Sequence, residues 1–205
     1  MTRRRLLPFF LLGIATAAAL PAAHHDEPTL SAAESVELVA LLEDTRLEVL
    51  QKTAGLTDEQ WTFKPAADRW SAADIVEHLM LVEQANLGAI HQAGKGNDQW
   101  AEKTTGKDAM LDKMLPDRSE KFQAPDSMQP TGAHSRAELI EGFLTERAKT
   151  VAMAADQKTP WKSRIVEGLP VGPLGAQQVM RLLARHTERH LKQLNEVLAD
   201  SEFPR

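Results

Sequence analysis

Leu183-Ala184-Arg185-His186-Thr187-Glu188-Arg189-His190, continuing to Asp200, is the stretch whose pattern decides the architecture. His186 and His190 are four residues apart and so share one face of an α-helix. Along that face stand Val179, Leu183, His186, His190, Gln193 and Val197, in alternating steps of four and three. This is the inward seam of a bundle helix, with three polar residues where apolar ones are expected. An imidazole buried without a partner is costly, so both histidines require something to satisfy them. A divalent metal ion would do so.

Outward from this helix, the chain reads as an all-α four-helix bundle. Ser31 and Glu34 form a capping box that opens a first helix reaching about Ala54, with Leu38, Leu41, Leu42, Val49 and Leu50 as its stripe and Gly55 as its stop. The connector 56–70 is expected to hold one short turn of helix, with Trp61 and Phe63 closing the end of the core. Ser71 and Asp74 open a second helix over 72–91, whose seam is Ile75, His78, Val82, Ala85 and Ala89. A third follows Ser135 and Glu138 through Leu139, Ile140, Phe143, Arg147 and Val151 to about Asp156. Between helices two and three lies a long connection, 92–134, with a short helix at 108–115 ended by Pro116. The Pro- and Gly-rich segment 157–175 offers Ile165 and Val166 as a brief strand, and the fourth helix starts around Leu174.

His78 therefore stands on a core seam, as His186 and His190 do. Three neutral nitrogen donors from two facing helices leave at least one coordination position open, the arrangement of a catalytic zinc-type site. Zinc, nickel, iron and manganese all suit imidazole. Glu188 invites comparison with the HExxH metalloprotease motif, but it stands two residues after His186 and points roughly 200° away from both histidines. It reads as a surface charge for Arg185 or Lys192. Gln193 is placed to bond a ligand histidine or a packing partner, Asp74 is a helix cap, and His134 reads as a surface residue. Competition with protons places the loss of metal affinity at and below the ordinary histidine pKa of ~6.5.

The composition narrows the function classes. With 205 residues, 42% of them hydrophobic, the chain can bury one sizeable core. The complete absence of cysteine removes disulfides, thiol nucleophiles and thiolate ligands, so metal ligands must be histidine or carboxylate. Residues 1–23 carry Arg3, Arg4 and Arg5, no acid, and an apolar run over 6–20 that ends in small residues. This is the pattern of a cleavable export signal, cut between Ala19 and Ala23, and its start also fits the twin-arginine pattern. The run is too short and alanine-rich for a comfortable membrane span, so no stable membrane anchor is expected after cleavage. Losing three arginines takes the net charge from −5 to −8, which argues against a nucleic-acid partner. His24, His25 and Asp26 fall in a flexible linker, 24–30, ahead of a domain over 31–205.

Several features fall in a telling order: Leu-Thr-Asp-Glu-Gln-Trp at 56–61, Lys64-Pro65, Arg69-Trp70-Ser71, then Ile75-Val76-Glu77-His78-Leu79. Further on, Gly172-Pro173-Leu174 leads into the helix carrying His186, His190 and Gln193. From about Ser31 to Asp200 the chain resembles the DinB-like (YfiT-like) superfamily of four-helix bundles. That resemblance implies an up-down-down-up helix order and a metal ion on His78, His186 and His190. It also implies a metal-dependent enzyme, here a hydrolase using a metal-bound water on an unidentified small-molecule substrate. The alternatives are a non-catalytic metal-binding bundle and a transferase using a low-molecular-weight thiol. The export signal weighs against the last, since such thiols are cytosolic. An exported, periplasmic location is expected, and a homodimer is an allowed assembly.

Overall fold

The computed structural model describes residues 28–94 and 96–205, so the expected export signal and His24 to Asp26 lie outside the described residues. Helix α1 spans Ala32–Thr53, α2 Asp58–Thr62, α3 Ala72–Gln92, α4 Trp100–Thr104, α5 Lys107–Met114, α6 Arg136–Ala155 and α7 Ala176–Leu198. The starts follow the caps. Ser31 with Glu34, Ser71 with Asp74 and Ser135 with Glu138 each close a reciprocal capping box, and Thr57 with Gln60 adds one at α2. Each side-chain cap satisfies a backbone N–H that the helix cannot, worth about 1 kcal/mol. Short 3-10 turns lie at Asp126–Met128 and Trp161–Ser163, and Ile165–Val166 (β1) pairs antiparallel with Leu174–Gly175 (β2).

Two apolar clusters give the helix directions. One gathers Leu38 and Leu42 from the start of α1, Ile90 from the end of α3, Ala154 from the end of α6 and Ala176 to Ala184 from the start of α7. The other gathers Val49 from the end of α1, Ala72 to Met80 from the start of α3, Leu139 and Phe143 from the start of α6, and Leu191 to Val197 from the end of α7. The four long helices therefore run up, down, down and up. Helix α1 packs on α6 and α7, and so does α3, which puts α1 diagonally opposite α3. The parallel neighbours α3 and α6 approach closely at Gly142, where a Cβ would clash with the Met80 sulfur.

Some expectations are corrected. Ala85 is exposed, because the buried stripe of α3 runs Ile75, Leu79, Val82, Asn86 and Ile90. A seam with a strict 3.5-residue repeat drifts off a straight helix by ~20° per heptad, and α3 follows its own period instead. Helix α1 ends at Gly55 without the positive φ that a glycine stop normally supplies. The long connection also contains α4, absent from the sequence reading. The end of the expected linker belongs to the fold, since Leu30 is buried against the core and the Pro28 carbonyl accepts the Lys162 amide at 2.9 Å.

Candidate metal centre

His78 lies in the second turn of α3, and His186 and His190 lie on the matching face of α7. Their ligand-capable nitrogens all lie within 4.8 Å of one another. Nε2 of His186 stands 3.4 Å from Nε2 of His78 and 3.2 Å from Nε2 of His190. His78 and His190 are buried, at 3% and 7% exposure. His186 is partly exposed as a residue, yet its Nδ1 is fully shielded and has no hydrogen-bond partner among the described residues.

Proton bookkeeping tests whether an ion fits. The Met128 carbonyl lies 2.8 Å from Nδ1 of His78, and the Gln193 Oε1 lies 2.9 Å from Nδ1 of His190. Both acceptors require an N–H, which assigns the Nδ1–H tautomer to both rings and leaves each Nε2 a bare lone pair. Arg118 Nη1, 3.4 Å from the same Gln193 oxygen, fits that amide orientation. Two lone pairs thus face His186, whose single proton can serve one of them. A cation at the focus satisfies all three. Nitrogens at 2.0–2.1 Å from one tetrahedral zinc-type ion stand roughly 3.3 Å apart, close to both observed Nε2 separations. The donor set fits.

Electrostatics keep the rings in the neutral form that such binding needs. Burial lowers the pKa of His78, against the opposing Met128 hydrogen bond. Burial, and then the neighbouring His78, Arg189 and Arg147 charges, push His186 down to about 3. Burial and the other two histidines hold His190 well below its ordinary value. Proton competition within the folded protein is therefore shifted below the ~6.5 expected from sequence, most strongly at His186 and His190.

Other residues fall where their chemistry sends them. Gln193 holds His190, as its seam position allowed. Asp74 is occupied by its cap and by Lys64 at 2.7 Å. Glu188 points outward to Arg185 at 3.0 Å and Lys192 at 3.6 Å, and His134 is exposed. Three contributors were missed. Trp70 stacks on His190 with centroids 5.8 Å apart and lies 4.8 Å from His78. The Met128 carbonyl comes from a loop without periodicity, and Arg118 reaches in from the same loop while bonding Glu196 at 2.8 and 2.9 Å. Only Trp70, directly before a helix cap, left a signal that could have been read.

A second buried polar cluster lies beside the first. Arg147, fully buried, donates to Glu83 at 2.6 Å, to the Leu42 carbonyl at 2.9 Å, and to the hydroxyls of Thr45 at 2.8 Å and Thr187 at 2.7 Å. Thr150 donates to the other Glu83 oxygen at 2.7 Å. All four long helices contribute to it.

Comparison with known proteins bears on the family and the fold. The sequence pattern of the DinB superfamily matches residues 41–194. YuaE of Bacillus subtilis strain 168, itself uncharacterized, is 24% identical over 162 residues, covering 78% of this chain and 96% of YuaE. Among solved structures the chain is similar to YfiT from Bacillus subtilis, a probable metal-dependent hydrolase with an unusual four-helix bundle topology. The TM-score is 0.51 at 11% identity, over 83% of this chain and 89% of YfiT, a likeness of fold.

Proposed function

This chain belongs to the DinB superfamily, and from that premise we propose that it is an exported metal-dependent hydrolase holding one divalent ion on His78, His186 and His190. The observation that carries the reading is the convergence of three Nε2 atoms, two of them with their lone pairs left bare by hydrogen bonds at Nδ1. The description of the structurally similar YfiT supports the same chemistry. Zinc, nickel, iron and manganese are the candidates.

When bound, such an ion polarises a carbonyl or phosphoryl oxygen and acidifies the water it holds. The chain's own residues do the rest. The Met128 carbonyl and Gln193 fix the tautomers of His78 and His190, and hydrogen bonds of this kind orient a ligand ring and raise its basicity. Trp70 walls the site with an apolar face. Among the described residues no carboxylate bonds any of the three imidazoles, so no general base is assigned.

Elemental analysis of native, untagged protein tests the ion, repeated on His190→Ala. The expected result is a divalent metal in the wild type and its loss in the variant. Hydrolysis of ester, amide and lactone panels, abolished by chelator, tests the reaction. Bound metal without turnover across the panels would make this a non-catalytic metal-binding bundle. Export rests on the composition of residues 1–23 and is tested by N-terminal sequencing of protein from the native cell. A mature start after Ala19 to Ala23 is expected, and an intact Met1 in the cytosol overturns it.

A further inference from the structure

Glu77 is a carboxylate at 1% exposure, next in sequence to a histidine of the site, and among the described residues its hydrogen bonds go to Thr131 and Gly132 rather than to any of the three imidazoles. A buried carboxylate must be fully hydrogen-bonded to persist. Its donors all come from one short segment: the Thr131 amide at 2.9 Å, the Thr131 hydroxyl at 2.6 Å and the Gly132 amide at 3.0 Å. Gly132 has φ +69°, a left-handed conformation that lets its amide and that of Thr131 converge on one carboxylate. The same segment begins at Met128, whose carbonyl accepts the Nδ1 proton of His78 at 2.8 Å. Among the described residues, the remaining hydrogen bonds of 128–132 are local, such as Gln129 to the Ala124 carbonyl. Consecutive positions of α3 thus grip both ends of one loop.

We propose that Glu77 is a positioning residue for the histidine site: by anchoring 131–132 it holds the Met128 carbonyl against His78 Nδ1 and so aims the His78 Nε2 lone pair at His186 and His190. The proposal extends the metal reading above, but its first test does not depend on that reading. Without the anchor, the Met128 carbonyl moves off and His78 relaxes toward the Nε2–H tautomer that predominates in free imidazole side chains. A proton on Nε2 blocks the ligand position.

The test uses metal-free full-length protein near neutral pH, with nitrogen NMR of the imidazoles reporting each tautomer. The wild type should show His78 as Nδ1–H, and Glu77→Ala should shift it toward Nε2–H. His190, held by Gln193, should stay unchanged. Thr131→Val, which removes one hydrogen bond without uncovering a buried charge, should shift His78 in the same direction to a smaller extent, and it decides the matter if Glu77→Ala fails to fold. A folded Glu77→Ala or Thr131→Val with His78 still wholly Nδ1–H overturns the proposal. Zinc titration adds a second readout, with affinity falling about 10–100-fold in Glu77→Ala, the usual range for groups that orient a metal-binding histidine. If the wild type binds none of zinc, nickel, iron and manganese, the metal reading fails while the tautomer measurement still decides the role of Glu77.

Discussion

Less than two turns apart on α3, His78 and Glu83 each supply that helix's share of a buried polar cluster. Around Glu83 the donors and acceptors match. Arg147 and Thr150 serve its oxygens, and the Arg147 guanidinium is itself filled by Thr45, Thr187 and the Leu42 carbonyl. Around His78 they do not match, since bare lone pairs face each other and the Nδ1 of His186 has no partner. The matched cluster is complete within the chain, whereas the unmatched lone pairs are the feature on which the proposed metal site rests. Thr187, which accepts from Arg147, directly follows His186, so the finished network steadies the unfinished one.

The largest effect should come from breaking the finished cluster. Arg147→Met leaves Glu83 as an unpaired charge in the core, at an expected cost of about 3–5 kcal/mol. Replacing both partners with apolar residues should restore much of that. Urea denaturation of the single and double variants measures it, and an equal loss in both would mean the pair is not a self-contained unit.

In the histidine cluster the loss should depend on metal. A metal at 100 times its Kd stabilises the fold by about 2.7 kcal/mol. His78→Ala, His186→Ala and His190→Ala should each remove the bound metal and the chelator-sensitive part of the melting temperature. With chelator present, the variants should melt close to the wild type. A wild type that carries no metal and melts alike with and without chelator would make the trio a polar cluster only.

Acid should separate the clusters more finely. The folded protein holds the three histidines neutral, whereas an unfolded chain takes up their protons near pH 6.5. The unfolded state then binds more protons, so stability rises with pH. Metal-free protein should be fully stable above ~6.5 and lose stability progressively toward about 3, the value to which His186 is pushed. Between ~6.5 and ~4.5 most carboxylates remain ionised, so that part of the slope belongs to histidine and should flatten in His186→Ala. Denaturation across this window with chelator present tests it, and a flat wild-type profile would contradict the burial.

Glu188→Ala should do least. Its partners are half-exposed surface cations, and such ion pairs contribute between 0 and about 1 kcal/mol. Metal content should not change. Loss of metal here, with retention in His78→Ala, would refute the register of α7.

What the sequence made legible was whatever repeats or caps. Ser31, Ser71 and Ser135 marked the long helix starts because capping is local, and the histidine seams were visible because a polar residue on an apolar stripe stands out. Glu77 and Glu83 were not legible as buried groups, and Arg147, though placed with the apolar run of the third helix, gave no sign of its partners. A charged residue in a helix normally marks a solvated face, and the partners of these three lie 40 to 105 positions away. The Met128 carbonyl was invisible for another reason, since a backbone acceptor carries no side-chain signature.

The diagonal placement of α1 and α3 bears on how the chain reaches this structure. Helices consecutive in an up-down-up-down bundle pair as hairpins that form from local contacts. Here α1 instead packs on α6 and α7, α3 meets α6 only across the connection 93–135, and α6 and α7 touch lightly. The core can close only through encounters between distant parts of the chain, and folding rates fall as such separation grows. Refolding should accordingly be slower than for a hairpin-built bundle of equal length. Helix content should run ahead of closure of the core in stopped-flow traces, because α1, α3 and α6 each carry a start signal of their own while the long helices they pack on lie far along the chain.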